Sequence, residues 1–271
     1  YKVEQKYFIF APGFEFRTGE SNGGKQEVGG ETRSSVFTIG LEAIAEYSNT
    51  SLSANGERFI GTRESPVYGT GSFGQLGVRA QIAYDTRDNP GYATRGFLAR
   101  ASAAIYPEVW DVESAFGSID GEALAFMTAP MPTHPTLALR AGGKKVWGTF
   151  PFHEAAYLGG PVFAGSGISD GNLRGYQKNR FGGDSSLYGN AELRLVLARI
   201  KLLVPGEFGL FGAADSGRVF FAEDPEETDN WHTGIGGGIW LSFLQRLQTL
   251  SVALLKGDEL RGLYLRAGFM F

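Results

Sequence analysis

Residues 158–194 read LGGPVFAGSGISDGNLRGYQKNRFGGDSSLYGNAELR. Most of this stretch is too long, too glycine-rich and too polar for a hairpin turn. Its end opens a segment in which Leu187, Ala191, Leu193, Leu195 and Leu197 alternate with Tyr188, Asn190, Glu192 and Arg194. Period two marks a half-buried strand, so the stretch is a long loop feeding a strand.

The same alternation recurs on both sides of it. Residues 7–16 form an aromatic-rich extended run in which Pro12 and Gly13 are tolerable only near an edge or bend. In 34–47, Phe37, Ile39, Leu41, Ala43 and Ala45 oppose Thr38, Gly40 and Glu42; further on, Leu76, Val78, Ala80, Ile82 and Tyr84 oppose Arg79, Gln81 and Asp85. Charges on one face of a strand need water or partners, which a wet barrel lumen supplies. Further strands are predicted over 97–106, 112–127, 136–147, 187–197, 208–219, 233–243, 249–256 and 260–271, with 51–60 as the weakest candidate. That makes about twelve, and an even number sets both chain ends on the periplasmic side and the long loop outside, as bacterial barrels require. No apolar run approaches the ~18 residues of a spanning helix. The fold expected is an all-β transmembrane antiparallel barrel forming one domain over residues 1–271. The chain opens inside a strand, without a signal peptide, so a soluble N-terminal part is expected to be missing.

Composition agrees. Gly 40, Phe 21 and Tyr 11 in 271 residues favour tight turns and an interfacial surface. The net charge of −4, with both signs interspersed, gives no footprint for a nucleic-acid partner. With Cys 0, disulfides and thiolate chemistry are excluded.

Among residues that could carry chemistry, Arg174 stands out. A guanidinium on a glycine-rich loop offers a planar fork that matches carboxylates, and Glu192 and Asp215 share the inward phase, opposite to Leu193 and Ala214. On the residues alone, a solvated Arg174 on an external loop is the competing reading. Enzyme sites are not in view. Ser185 and Ser186 lack a nucleophile elbow, and His134, His153 and His232 are scattered without metal-ligand spacing. Asp111, Asp170, Asp224 and Asp229 lack the carboxylate spacing of a calcium loop. Residues 234–238, GIGGG, open no helix and so form no phosphate loop; they mark a bend or a place where another chain approaches closely. No cofactor or metal is expected. Tyr7, Phe8, Phe10, Trp147, Trp240 and Phe271 read as lipid-contact aromatics.

Leu173-Arg174-Gly175-Tyr176, Arg180-Phe181-x-Gly183 and Asn190-x-Glu192-x-Arg194, together with YDTRDNP at 84–90 and Thr94-Arg95-Gly96, form a set. This set resembles the signature of the outer-membrane assembly and secretion superfamily typified by BamA, TamA and FhaC. Two motif positions depart from it: Ala93 stands where the family often has Pro, and Ala213 where an aromatic usually precedes the Asp215 motif. The expected strand number is also below the family's usual sixteen. The resemblance implies a non-enzymatic protein of the bacterial outer membrane that assists insertion or translocation of proteins. Its extracellular loop folds into the lumen, and Arg174, Gly175 and Tyr176 form a lock with Glu192 and Asp215. It also implies Phe271 on the lipid face of a closing strand, and as partners outer-membrane lipid and client proteins pairing at a seam between first and last strands. A barrel anchor or secretion domain for a missing soluble part, and a small-solute channel, are the alternatives.

Overall fold

The computed structural model describes residues 4–19, 35–51, 67–160, 171–201, 205–221, 230–244, 246 and 248–271. Strands form where the period-two pattern runs: β1 (Gln5–Phe10), β2 (Gly13–Thr18), β3 (Val36–Thr50), β4 (Gly71–Asp85), β5 (Gly96–Tyr106), β6 (Phe116–Thr128) and β7 (Thr136–Trp147). After a single 3₁₀ turn at Phe152–Glu154 come the short β8 (Ala156–Leu158) and β9 (Phe181–Gly183). The series closes with β10 (Ser185–Lys201), β11 (Pro205–Phe220), β12 (His232–Phe243), β13 (Gln248–Lys256) and β14 (Arg261–Ala267). All but β8 and β9 join one antiparallel sheet of twelve strands, in the order β1-β3-β4-β5-β6-β7-β10-β11-β12-β13-β14, with β2 beside β1 on β3. β8 and β9 pair with each other inside the long loop.

Sequence alternation becomes alternation of burial. In β13, Thr249, Ser251, Ala253 and Leu255 are buried while Leu250, Val252 and Leu254 face outward. The outward set includes Ile235 at 68%, Leu187 at 51% and Leu265 at 54% exposure, an outward apolar band of the kind membrane barrels carry. Inward side chains from distant strands meet, so the sheet curls around its own interior. Tyr92, between β4 and β5, lies 5.1 Å from Trp240 of β12 and 5.3 Å from Phe269 after β14.

Several expectations change. The first strand is two segments in one register on β3, from Gln5↔Thr50 to Thr18↔Phe37. Pairing is interrupted only at Ala11-Pro12, where proline has no N–H to give, and the Pro12 carbonyl still accepts from Ala43 N at 2.9 Å. The segment 51–60 falls, beyond Ser51, outside the described residues; β3 pairs directly with β4 from Thr50↔Gly71, so the ladder places no strand between them. With β1 and β2 sharing one position, β1 starts at the mouth that carries the long loop and β14 ends at the other. The described ends of the sheet thus lie at opposite mouths, and not at one mouth as the even count had it. β6 begins at Phe116, four residues later than expected, and β10 begins at Ser185, two residues earlier than expected.

The most consequential correction is at the C-terminal end. The period-two pattern runs on through Phe269 and Phe271, but β14 stops at Ala267 and Gly268 adopts φ +95°. That left-handed conformation, easy only for glycine, turns residues 269–271 inward. Phe269 and Met270 are buried, and Phe271 packs on Phe126 with ring centroids 6.4 Å apart. Phe271 is thus not on the lipid face. Trp240 is also interior, and Tyr7 points inward to donate to Glu46 at 2.7 Å. Phe8, Phe10 and Trp147 keep the outward aspect expected of them.

The periplasmic mouth is filled by this tail and by the 86–95 connection. Asp88 accepts from Thr94 N at 2.8 Å and Arg95 N at 3.2 Å, and Asn89 accepts from Gly91 N at 2.8 Å. These side-chain-to-backbone bonds fix the turn. It presents Tyr92 and Ala93 to the interior, where burial pushes the Tyr92 phenol up to about 12.

Candidate functional site

The loop after β7 returns into the lumen, and residues 171–180 carry its tip against β10, β11 and β12. Backbone conformation helps to aim it. Gly175 sits at φ +91°, and a Cβ there would lie 2.4 Å from Gly257 N, so only glycine lets the tip press on the β13–β14 connection. Gly234 on β12 serves the same approach from the wall: a Cβ would lie 2.1 Å from the Arg174 carbonyl oxygen. The glycine run 234–238 is therefore, at its first member, the place where the loop backbone meets the wall.

Arg174 is held by two carboxylates on neighbouring strands. Its Nε and Nη2 donate to Asp215 Oδ2 and Oδ1, each at 2.7 Å, and Nη1 donates to Glu192 Oε1 at 2.5 Å. Its backbone N–H adds a fourth bond, to Asp215 Oδ2 at 3.0 Å. The Arg174 side chain is 3% exposed, and those of Glu192 and Asp215 are 0% exposed. Burial alone would lower the Arg174 pKa; the two carboxylates outweigh it and raise it, so the guanidinium stays charged. Bidentate pairing with one carboxylate and reach to a second uses the planar fork as no ammonium could.

The neighbours complete the arrangement. Gly175 N donates to Tyr264 Oη on β14 at 2.6 Å. The Tyr176 hydroxyl lies 3.0 Å from the Thr233 carbonyl and 2.9 Å from Asp258 Oδ2, and Arg180 forks onto Glu259 with two bonds of 2.6 Å. Leu173, Tyr176, Leu158 and Val219 form a small apolar core under the tip. All five residues singled out in the sequence thus meet: Arg174, Glu192 and Asp215 as an ion cluster, with Gly175 and Tyr176 beside it.

Two partners were not anticipated. Tyr264 alternates with Leu263 and Leu265, and its phase alone gives no hint that a loop backbone ends on it. Arg194 occupies the same inward face as Glu192, two residues on, and donates Nε and Nη2 to Glu192 Oε2 at 2.9 and 2.7 Å. Its inward phase was legible; its partner was not. Two further interior networks lie on the N-terminal side. Arg140 donates to Glu122 at 2.7 Å and to the Gly171 carbonyl of the loop at 3.1 Å. Near the extracellular mouth, Gln75 Nε2 donates to Glu46 at 2.5 Å and to Glu154 of the loop at 2.7 Å.

Among the described residues no cluster of His, Asp or Glu has the makings of a metal site.

The comparisons agree with this architecture. By sequence alone no curated protein is significantly similar to the chain. Among solved structures, the crystal structure of BamA from Haemophilus ducreyi lacking POTRA domains 1–3 is similar, with a TM-score of 0.58 and 12% identity. The likeness, which is one of fold, covers 96% of this chain and 53% of that one, so the chain spans about half of that protein's length. The Omp85 superfamily domain matches residues 16–243, most of the chain. On that match the chain belongs to the Omp85 superfamily, the bacterial outer-membrane β-barrels of protein insertion and translocation.

Proposed function

We propose that this barrel assists the insertion or translocation of other outer-membrane proteins, with the loop around Arg174 as a lumen lock. The observation that carries the lock is the span of one guanidinium across Glu192 on β10 and Asp215 on β11. The tip's further bonds to Tyr264, Asp258 and Glu259 support it, since they draw the C-terminal strands onto the same loop. The work is done without a cofactor: edges donate and accept backbone hydrogen bonds, which is what an incoming client strand needs. The β1–β2 edge, exposed along nearly its whole length, is the surface we assign to client pairing across from β14. Outer-membrane lipid would cover the outward apolar band.

The interior favours this reading over a solute channel, because Tyr92, Trp240 and Phe269 occupy the periplasmic mouth. The test is reconstitution. The protein in liposomes should accelerate folding of a small outer-membrane barrel, read as the heat-sensitive gel shift of that client. Arg174→Ala should reduce the acceleration several-fold. Equal client folding in empty and loaded liposomes would remove the proposal, and large single-channel conductance without acceleration would favour the channel.

A further inference from the structure

Glu192 is shared. Oε1 takes Arg174 from the loop, and Oε2 takes Arg194 from its own strand. Arg194 in turn reaches the C-terminal tail: Nη2 donates to the Phe271 carbonyl at 2.8 Å, and the guanidinium carbon stands 3.8 Å from the centroid of the Phe269 ring. Phe126 and Phe271 flank it at 5.7 Å each. The side chain is 1% exposed, and its Nη1 has no hydrogen-bond partner among the described residues. A buried guanidinium that leaves one nitrogen unsatisfied is held by the ring stack and by two acceptors, not by saturation of its donors.

The charges give this contact a consequence. Arg174 and Arg194 balance Glu192 and Asp215 only while the loop tip is in place. Withdrawal of Arg174 leaves two buried carboxylates to one cation, and Arg194 is then drawn toward both. Any movement in that direction takes it off the Phe271 carbonyl and the Phe269 ring. We infer that Arg194 is a positioning residue that couples the lumen loop to the inward-turned C-terminal tail, so that seating the loop and closing the periplasmic mouth are one event. This rests on the lock reading and extends it: the chain Arg174–Glu192–Arg194–Phe271 links the segment entering from the extracellular mouth to the segment filling the periplasmic one.

The chain has Cys 0, so an introduced cysteine is a sole reporter. Met270→Cys reports the tail and Leu173→Cys the loop tip, both buried positions, and Val146→Cys, in the separate cluster with Ile44 and Tyr106, reports general loosening. Maleimide labelling is measured on folded protein in detergent, with the unheated gel shift as the check of folding. Arg194→Ala should raise labelling at 270 at least tenfold and at 173 several-fold, with 146 unchanged. Arg174→Ala should raise labelling at 173 at least tenfold and at 270 several-fold. If Arg194→Ala does not fold, Phe269→Ala, which leaves all four charges in place, should expose 270 and, through Arg194, also 173. Each reporter responding only to the mutation on its own side overturns the coupling and leaves the lock intact. Protection at 173 in Arg174→Ala overturns the lock itself. Labelling that rises equally at 146 reduces Arg194 to a structural role and also overturns the inference.

Discussion

Replacing Arg174 by alanine probes the ion cluster most directly, and the structure sets the size of the effect. Asp215 loses both side-chain bonds from Arg174, and Glu192 loses one but keeps Arg194. Neither carboxylate side chain is exposed, so water cannot take the place of the guanidinium without moving the loop. Removing one partner of a buried ion pair costs about 3–5 kcal/mol, roughly two to four powers of ten in the unfolding constant at 1.36 kcal/mol per tenfold. Urea unfolding of the detergent-folded protein, with the folded fraction read from unheated gel mobility, measures it directly. Arg174→Lys should recover part of the loss, since an ammonium reaches one carboxylate well and not two. The double variant Arg174→Met with Asp215→Asn should recover more, because it leaves no buried charge uncompensated. A loss below about 1 kcal/mol, in the range of exposed ion pairs, would refute the reasoning, as would a double variant no better than the single one.

Two further outcomes concern the contacts around that cluster, and a third the turn at His153. Gly234→Ala sets a methyl against the Arg174 carbonyl and should cost about 1–3 kcal/mol with faster trypsin cleavage at Lys178 and Arg180, whereas Gly212→Ala, with open space at its Cβ, should leave both unchanged. Tyr176→Phe removes a hydroxyl shared by Thr233 and Asp258 and should cost about 1 kcal/mol in the same urea titration. Burial holds the His153 imidazole below its ordinary value, with Glu154 opposing and Lys144 adding to the shift. The unfolded chain therefore binds a proton where the native one does not, so this contribution to stability is present above about pH 6.5 and is lost as pH falls below it. His153→Gln should flatten the slope of stability between about pH 7 and pH 5, and an unchanged slope would show that another group carries it.

The parts of this architecture written in local pattern were legible in the sequence, and the parts that depend on phase reversal were not. Period two fixed the inward face of β10 and β11, and with it the meeting of Glu192 and Asp215 on one side of the wall. The loop was legible because its glycine-rich, polar residues break the strand rhythm, but Arg174 within it was singled out by the resemblance of Leu173-Arg174-Gly175-Tyr176 and its companion motifs, since on the residues alone it could equally have been solvated. The tail escaped notice because Leu263, Leu265, Ala267 and Phe269 continue the alternation without a flaw; only Gly268, one glycine among 40, carries the turn. Trp240 was read as a lipid contact, wrongly, for a related reason. It stands between Ile239 and Leu241, so both faces of its strand are apolar there and hydrophobicity cannot say which is inside. The parity argument went wrong because it needed one more strand in the wall between β3 and β4, and these two pair directly.

The distribution of interior contacts makes the two edges of the sheet unequal. Arg174, Gly175, Tyr176 and Arg180 reach β10, β11, β12, the β13–β14 connection and β14, and Arg194 adds the tail. Loop and tail are thus bound to the C-terminal strands at both mouths. The first strand has much less: from Lys6 on its residues are exposed on both faces, Phe14 at 88%, and Tyr7 anchors it inward through its bond to Glu46. Resistance to local opening follows buried contact and satisfied hydrogen bonds, so it rises from the β1–β2 edge toward β10 and β11. A loop held in this way leaves one edge of the sheet comparatively soft and the other braced. An edge that exchanged partners, as we propose for β1–β2, would have to be marginal on one side and held in register on the other, and the interior of this barrel has that asymmetry through where its buried charges sit.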